Sequence, residues 1–259
     1  MITTKVASQA EFDAAIDTDP SAHIEIVGSP IIEVKSGSHF IYTDDNARPT
    51  IKVYDTASPR IRTWGPSHPT IIVLSTSPVS ITTHATSHPR IVTLGDARPE
   101  IAIFNDSWPI IEAFSKSRPL VRMYDRTQPT VETNDTSRAN ISVDAPAQPT
   151  IMSYDMSRMK IRVRGTTYPK ILAYGDSRIK VKTYDRSRPG IASYDNAQVT
   201  VKMYDESRPK VWGYGTVCPT VEWYGDVAAV MWSFDRQRLG PTPRIIQGGK
   251  SCQTKQERR

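Results

Sequence analysis

The sequence predicts an all-β protein whose strands wind into a two-sheet β-solenoid. The main observation is a ten-residue phrase that recurs along most of the chain, with Ile or Val at its centre, commonly Tyr three residues later, and then Asp or Gly. The phrase places Ile or Val at every tenth residue from Ile31 to Val221, and Met at Met231. A short period held for this long predicts a solenoid, because each repeat buries its apolar face only against its neighbours.

Two positions of the phrase show that one coil takes two phrases. Ten residues hold one strand of about five residues and one turn, so a closed coil needs at least two phrases. We number the positions of a phrase by the last digit of the residue number, so that the central Ile or Val, such as Ile51, is at position one. The ninth position is Pro in every second phrase from Pro49 to Pro209, whereas the intervening phrases hold residues such as Val79 there. The third position alternates in volume, as in Met123 and Thr133, which suits two sheets that face each other across a thin core. We therefore expect about ten coils of about 20 residues, in a rod roughly 50 Å long at ~4.8 Å per coil.

The two ends of the chain depart from the phrase. Residues 1–30 are predicted to form a cap, because Ser8 and Glu11 match a capping box, Phe12 and Ile16 fall on one helical face, and residues 23–27 form an irregular strand. Such a helix would cover the open edge of the sheets. Residues 31–236 form the repeat domain, and residues 237–259 form a Gly- and Pro-rich basic tail that we predict to be mobile.

The composition favours an elongated rod. The chain has 259 residues, of which 20 are Pro, 13 are Gly and 38% are hydrophobic. Cys218 and Cys252 give no disulfide framework. No apolar run approaches the ~20 residues of a membrane span, and the first residues lack the apolar segment of a signal peptide. We expect a soluble protein that is cytoplasmic at synthesis and has no membrane contact and no cofactor.

The phrase resembles that of decapeptide-repeat proteins, with the consensus SATVxAYD or SATVxAYG, from bacteriophages and prophages, largely of actinobacteria. The resemblance is carried by runs such as SRPGIASYD at residues 187–195 and SRPKVWGYG at residues 207–215, and it covers about residues 31–235. It implies the solenoid fold, a phage origin, and a location in the host cytoplasm or in the virion. It transfers no site residues, and Pro and Arg stand here where the consensus has Ala and Thr.

The period of 20 residues predicts one basic outward face. Its candidate binding residues for a polyanion or a protein partner are a column of five arginines and the basic residues of nearby strands: Arg98, Arg118, Arg122, Arg138, Arg158, Lys160, Arg162, Arg178, Lys180 and Lys182. Local pairs with turn residues such as Asp135 would leave an ordinary solvated surface, although surface pairs contribute only about 0–1 kcal/mol. Alternatively, like charges ~5 Å apart repel one another unless anions lie between them, which favours an anionic partner.

The other sheet is predicted to carry an outward apolar row that Glu112 and Glu132 interrupt. Its candidate interface residues are Met152, Leu172, Trp212 and Trp232. Exposed apolar patches commonly mark interfaces, so we expect self-association or partner docking there.

A column of tyrosines where strands enter their turns is interpreted as a structural ladder rather than a platform for nucleobases. It consists of Tyr174, Tyr184, Tyr194, Tyr204, Tyr214 and Tyr224.

Four other functions find weak support. Glu112 and Glu132 lie one coil apart, at the ~5 Å of a retaining glycosidase pair, but the solenoid forces that spacing and no inserted loop accompanies them. His68, His84 and His88 are a weak metal candidate. The run GGKS at residues 248–251 lacks the first Gly of a phosphate loop. The outward Thr residues are too interrupted for an ice-binding array.

We therefore expect a protein without enzymatic activity. The leading hypothesis is a phage-type interaction protein, a rigid rod that presents a basic face and an apolar face to a host or virion protein. One alternative is a structural or decoration protein of the virion. A further alternative is sequence-independent binding of nucleic acid or another polyanion, because the basic sheet has few outward Asn or Gln residues to read base edges.

Overall fold

The structure, a computed structural model, is a β-solenoid of about 11 turns with a repeat of about 20 residues. It describes residues 3–43, 46–144, 146–214, 219–224 and 244–247. Within these ranges the strands form two parallel sheets, one of 13 strands and one of 10 strands. The predicted fold class is therefore confirmed, including the helix near the N-terminus.

Successive strands alternate between the two sheets from the third strand to the twenty-second. Sheet A contains β1 (Thr3–Val6), β2 (His23–Ile26), β4 (Phe40–Thr43), β6 (Arg60–Thr63), β8 (Ser80–Thr83), β10 (Glu100–Ile103), β12 (Leu120–Met123), β14 (Arg138–Val143), β16 (Arg158–Val163), β18 (Arg178–Thr183), β20 (Gln198–Tyr204), β22 (Thr220–Tyr224) and β23 (Arg244–Gln247). Sheet B contains β3 (Ile31–Val34), β5 (Thr50–Val53), β7 (Thr70–Val73), β9 (Arg90–Thr93), β11 (Ile110–Ala113), β13 (Thr130–Thr133), β15 (Thr150–Ser153), β17 (Lys170–Ala173), β19 (Gly190–Ser193) and β21 (Lys210–Gly213). The single described helix, α1, spans Gln9–Thr18.

The core is a thin layer between the sheets, built by stacking like residues on one another. The central Ile of one coil pairs in register with the central Ile of the next, as Ile51 does with Ile71, and both are fully buried. In most repeats the seventh position holds a small buried residue, such as Ser107, whose hydroxyl lies 3.1 Å from that of Thr83. Short strands with two inward residues therefore suffice, because each coil closes against its neighbours.

The volume alternation at the third position reverses along the rod. In the later coils the larger residue lies in sheet A, as Met123 does, and the smaller one in sheet B, as Thr133 does. In the first coils Thr63 lies in sheet A and Val73 in sheet B, and both are fully buried. The predicted pairing of large with small holds in both halves, but the sheet that carries the larger residue changes.

The first repeat differs by one residue from the predicted register. Ile32, and not Ile31, pairs with Ile51 and is buried, whereas Ile31 is 59% exposed. The turn between β3 and β4 covers residues 35–39, one residue fewer than the turn at residues 54–59 between β5 and β6. Because side chains alternate between the faces of a strand, a shift of one residue turns Ile31 outward.

The N-terminal cap combines the predicted helix with a strand that the sequence analysis missed. Ser8 caps α1 by accepting a hydrogen bond from the Glu11 N–H, and the Glu11 carboxylate accepts one from the Ala7 N–H rather than from Ser8. Phe12 packs into the core. Strand β1 pairs in parallel with β2, so α1 connects two parallel strands of sheet A. This strand escaped prediction because Val6 is its only buried residue.

The helix also covers the open edge of sheet B. The Glu33 N–H of the edge strand β3 donates to Gln9 Oε1 over 2.6 Å, and Gln9 Nε2 donates to the Glu33 carbonyl over 3.3 Å. The side-chain amide of Gln9 therefore takes the place of a neighbouring strand at an edge that would otherwise offer unpaired backbone groups.

At the C-terminal end, β23 pairs in parallel with β22. Sheet A therefore continues into the range that the sequence assigned to the tail. The remaining residues of that range, including the GGKS run, lie outside the described residues, as do Cys218, Met231 and Trp232.

Candidate polyanion-binding face

Aspartates at the corners of the solenoid, where one strand turns into the next, stabilise these turns. Asp155 and Asp185 take left-handed backbone conformations, with φ of 54° and 55°, at a position that Gly165 fills in another turn. The Asp185 carboxylate accepts a hydrogen bond of 2.8 Å from the Gly165 N–H one coil earlier. Within the described residues, these corner carboxylates form no ion pair with the arginine column, so the local neutralisation considered from the sequence is not observed.

The arginine column becomes part of sheet A in the middle of the rod because Pro is absent there. Strands β14, β16 and β18 have six residues, whereas most other strands have four. Their ninth positions hold Ala139, Met159 and Ile179, which keep the backbone N–H that Pro lacks. The longer ladders bring Arg138, Arg158 and Arg178 into register as direct neighbours.

Two adjacent long strands carry only cations on their outward face. We call these six residues the basic block: Arg158, Lys160 and Arg162 on β16, and Arg178, Lys180 and Lys182 on β18. All six side chains are exposed. Neighbouring strands are ~4.8 Å apart and alternate residues on a strand ~6.7 Å apart, so the block is a flat array of charge. In the described part of the chain, none of the six makes an ion pair or a side-chain hydrogen bond.

The other predicted basic residues extend this face towards the N-terminus. Arg138, Arg118 and Arg98 continue the arginine column, and Arg122 lies on β12; all four are exposed. The structure therefore brings all ten predicted basic residues to one side of the solenoid, as the period of 20 residues required.

An ion pair ends the block on the C-terminal side. Lys202 Nζ lies 2.8 Å from Glu222 Oε2 and donates a hydrogen bond to the Tyr224 hydroxyl. The hydrogen bond with Glu222 is the main cause of the raised pKa of Lys202, and it lowers the pKa of Glu222 in return. Lys202 is therefore compensated, in contrast to Lys182, its neighbour in the same column.

Short side chains on β14 leave a depression next to the block. Asn140 and Ser142 point outward between the residues of β12 and those of β16. The cavity above them has a volume of about 430 Å³, and its lining includes Leu120, Lys160 and Arg162.

The predicted apolar row on sheet B is half-buried in the structure. Met152, Leu172 and Trp212 are each partly covered, and Ala192 interrupts the row between the last two. The Trp212 ring lies against Gly190, where an added Cβ would be 3.5 Å from it. The described members thus expose less apolar surface than expected, Trp232 lies outside the described residues, and the interface remains a prediction.

Sequence reasoning missed a second set of apolar residues around sheet B. Trp108, Ile110 and Tyr168 are 48%, 45% and 49% exposed, respectively. Trp108 and Tyr168 occupy the eighth position of the phrase, which holds the arginine column in the phrases of sheet A. Large apolar residues at this position in the phrases of sheet B were the signal that could have found them.

The tyrosines form two ladders rather than the single predicted column. Tyr174 stacks on Tyr194 with ring centroids 4.7 Å apart, and Tyr184 stacks on Tyr204 at 4.8 Å, on the other edge of the solenoid. Because each ring covers the faces of its neighbours, the ladders offer edges, and not free faces, to a nucleobase.

The carboxylate pair considered for catalysis lies on sheet B. Glu112 and Glu132 are neighbours in register, and Arg90 Nη2 lies 2.7 Å from Glu112 Oε2. Burial and the charge of Glu112 raise the pKa of Glu132. Glu112 is therefore already paired with Arg90, which gives this carboxylate pair a structural role.

The three histidines of the weak metal candidate are engaged in ring stacking. His84 stacks between Trp64 and Phe104, and His68 stacks on His88 at 5.0 Å. Burial lowers the pKa of His84 and of His68. Among the residues that the structure describes, no group of three or more His, Cys, Asp or Glu side chains could hold a metal ion, so these three are not brought together.

Comparisons with known proteins give no further assignment, since no protein-family model, curated protein or solved structure matches the chain. In the described ranges no helix is long and apolar enough to cross a membrane.

Proposed function

We propose that this chain is a non-enzymatic interaction protein, a rigid β-solenoid whose basic face binds an anionic macromolecular partner. The observation that supports the proposal is the basic block, with six exposed cations on two adjacent strands and no ion pair among the described residues. The resemblance of the repeat to phage decapeptide-repeat proteins suggests a partner in the host cell or the virion.

Electrostatics favours a bound anion over a bare surface. Two unit charges ~5 Å apart repel each other by about 1 kcal/mol even in water, and each cation of the block has several such neighbours. A polyanion removes this repulsion and releases its own condensed counterions, which makes the affinity fall with rising salt. The long, regular array suits a ligand that repeats its charges, because the solenoid repeats the cations at a fixed spacing.

The rigid scaffold fits binding better than catalysis. From β2 to β22 successive strands are joined by connections of at most six residues, whereas active sites are disproportionately built on loops. A preformed flat face loses little conformational entropy when it binds an extended ligand, beyond that of its Lys and Arg side chains.

Charge reversal on the basic face tests the proposal. The variant replaces Arg138, Arg158, Arg162 and Lys182 with Glu. Its binding to labelled duplex DNA, labelled single-stranded RNA, heparin and an acidic peptide is compared with that of the natural protein at about 50 mM and 200 mM salt. We expect the natural protein to bind at least one of these ligands more weakly at the higher salt, and the variant to lose that binding.

The matched control reverses four exposed cations of the opposite side: Lys170, Arg188, Lys210 and Arg208. It changes the net charge by the same amount, so we expect it to keep most of the affinity. Equal losses in both variants, or a natural protein that binds none of the four ligands at low salt, would contradict the proposal.

A further inference from the structure

We infer that the basic face contains a trench for one phosphodiester backbone of a nucleic acid. The inference rests on the proposed function and names the chemical class of its ligand. The trench is the depression above β14, where short outward side chains lie between rows of longer ones.

The trench runs along β14, across the axis of the solenoid. Asn140 and Ser142 form its floor, Leu120 and Arg122 on β12 flank it on one side, and Lys160 and Arg162 on β16 flank it on the other. Of these flanking residues, Leu120, Lys160 and Arg162 line the cavity, and its lining extends past β16 to Lys180 and Lys182 on β18. The flanking strands are two coil spacings apart, which is ~9.6 Å between their backbones. Cations on both sides suit a narrow chain that exposes anionic oxygens to its left and right.

The floor offers neutral polar groups and some apolar surface. The side-chain amide of Asn140 is exposed and makes no hydrogen bond to the described residues, so it is free to donate or accept one. The Ser142 hydroxyl donates to Asp144 Oδ2 over 3.2 Å. Ile141 and Ile161 keep 3% and 2% exposure beneath the cavity. Such a floor suits an uncharged sugar ring, while the walls suit the phosphates that it carries.

The dimensions fit one nucleic-acid strand. From Arg138 to Ser142 the outward face extends ~14 Å along the strand. One strand of a duplex carries a phosphate every 3.4 Å of axis and winds around that axis, so its phosphates are farther apart along the backbone and at most about four pass over the trench. An α-helix of an acidic protein, about 10–12 Å wide with its side chains, is too wide to enter between the walls. The charge and the width together therefore favour a phosphodiester backbone over a folded acidic surface.

The contact involves the backbone and not the bases. Proteins that hold single strands by their bases use free aromatic faces. The tyrosine ladder on the sheet A side stacks its rings on one another, as Tyr184 and Tyr204 do, so those faces are occupied. Duplex and single strand share the phosphodiester chemistry, and both are included in the test.

The test fills the trench without changing any charge. The variant Asn140→Trp/Ser142→Tyr places bulky rings on the floor, and the control Ser80→Trp/Thr82→Tyr places the same rings at the equivalent positions of β8, three coils away. In each pair the first residue is exposed and the second half-buried. Circular dichroism checks that both variants are folded, and each is titrated with a short labelled DNA duplex, the corresponding single strand, and heparin at several salt concentrations.

We expect the filled variant to lose about tenfold or more of the nucleic-acid affinity, with a salt-dependence slope smaller by about two for two lost phosphate contacts. The control should bind like the natural protein. Loss of duplex binding assigns the trench to a duplex strand, and loss confined to the single strand assigns it to the unpaired chain.

Three results would overturn the inference. If the filled variant binds nucleic acid like the natural protein while charge reversal abolishes binding, the assignment of the trench as the binding site is wrong and the proposed function stands. If the natural protein binds heparin but neither nucleic acid, the phosphodiester assignment is wrong and the anion-binding face stands. If it binds no anion at all, both fail.

Discussion

At the scale of the residue, the backbone conformation of the position after the tyrosine explains why that position holds Asp in some phrases and Gly in others. The position requires a positive φ, which Gly adopts freely and Asp tolerates better than most residues. Asp adds a carboxylate that accepts the N–H of the same turn one coil earlier, as Asp185 does from Gly165. One residue type thus meets a conformational demand and links neighbouring coils.

Substitutions at Asp185 separate these two contributions. Asp185→Ala removes a charge-assisted hydrogen bond and places a Cβ without a compensating polar group in the left-handed region, so we expect the free energy of unfolding to fall by about 2 kcal/mol. Asp185→Gly loses the bond but relieves the strain, and should cost about 1 kcal/mol less than Ala. Chemical denaturation measures both; equal losses would show that the backbone conformation carries no strain.

The tyrosine and histidine residues show which stacking contacts the sequence could predict and which it could not. Stacked tyrosines were predicted because identical residues recur at fixed spacing. Their division between two ladders was missed because Tyr174 and Tyr184 look equivalent in a ten-residue phrase, although the coil has 20 residues and places them on different edges. The stacking of His84 between Trp64 and Phe104 mixes residue types and left no repeated letter to recognise.

At the scale of the element, the edge of sheet B is covered by a contact that lies outside the repeat. Sheet B begins at β3, and the edge of that strand is covered at Glu33 by the side-chain amide of Gln9. The sequence predicted that a helix would cover an edge, but it gave no sign that Gln9 would imitate a strand, because that contact joins residues 24 apart outside the repeat.

Replacing Gln9 with Leu tests the edge contact. The change leaves an unpaired N–H and carbonyl on Glu33, so we expect a loss of about 1–2 kcal/mol in the free energy of unfolding. We also expect concentration-dependent association through the exposed edge strand. Denaturation and sedimentation measure the two effects. Gln198→Leu is the control, because Gln198 is exposed on β20 and its side chain makes no hydrogen bond to the described residues. An unchanged monomeric Gln9→Leu variant would contradict the account.

The elements also show which parts of the fold a repeat can predict. The two sheets, the coil length and the outward faces follow from periodicity, and all ten basic residues of the candidate site were placed on one side. The shortened turn at residues 35–39, strand β1 and strand β23 break the period, so periodicity carried no information about them. The trench did not follow from the pattern of charged residues, because it arises where the uncharged side chains of Asn140 and Ser142 are short.

At the scale of the whole molecule, the solenoid is a rod with unequal sides. Sheet A carries a continuous block of unpaired cations over its middle coils, whereas sheet B combines half-buried apolar residues with the Arg90–Glu112 ion pair and separate exposed cations such as Lys170 and Lys210. The core of the described coils is a layer of buried side chains, and the surface repeats at ~4.8 Å along the axis. We therefore expect an anionic partner to bind on the sheet A face.

Lysine reactivity tests that claim most directly, because both sides carry exposed lysines. The protein is acetylated with and without a saturating polyanion to which it binds, and the modified residues are quantified by mass spectrometry. We expect Lys160, Lys180 and Lys182 to lose most of their reactivity in the complex and regain it at high salt, while Lys170 and Lys210 on sheet B stay unchanged. Equal protection of all five lysines, or protection of the sheet B pair alone, would contradict a binding face built by the basic block.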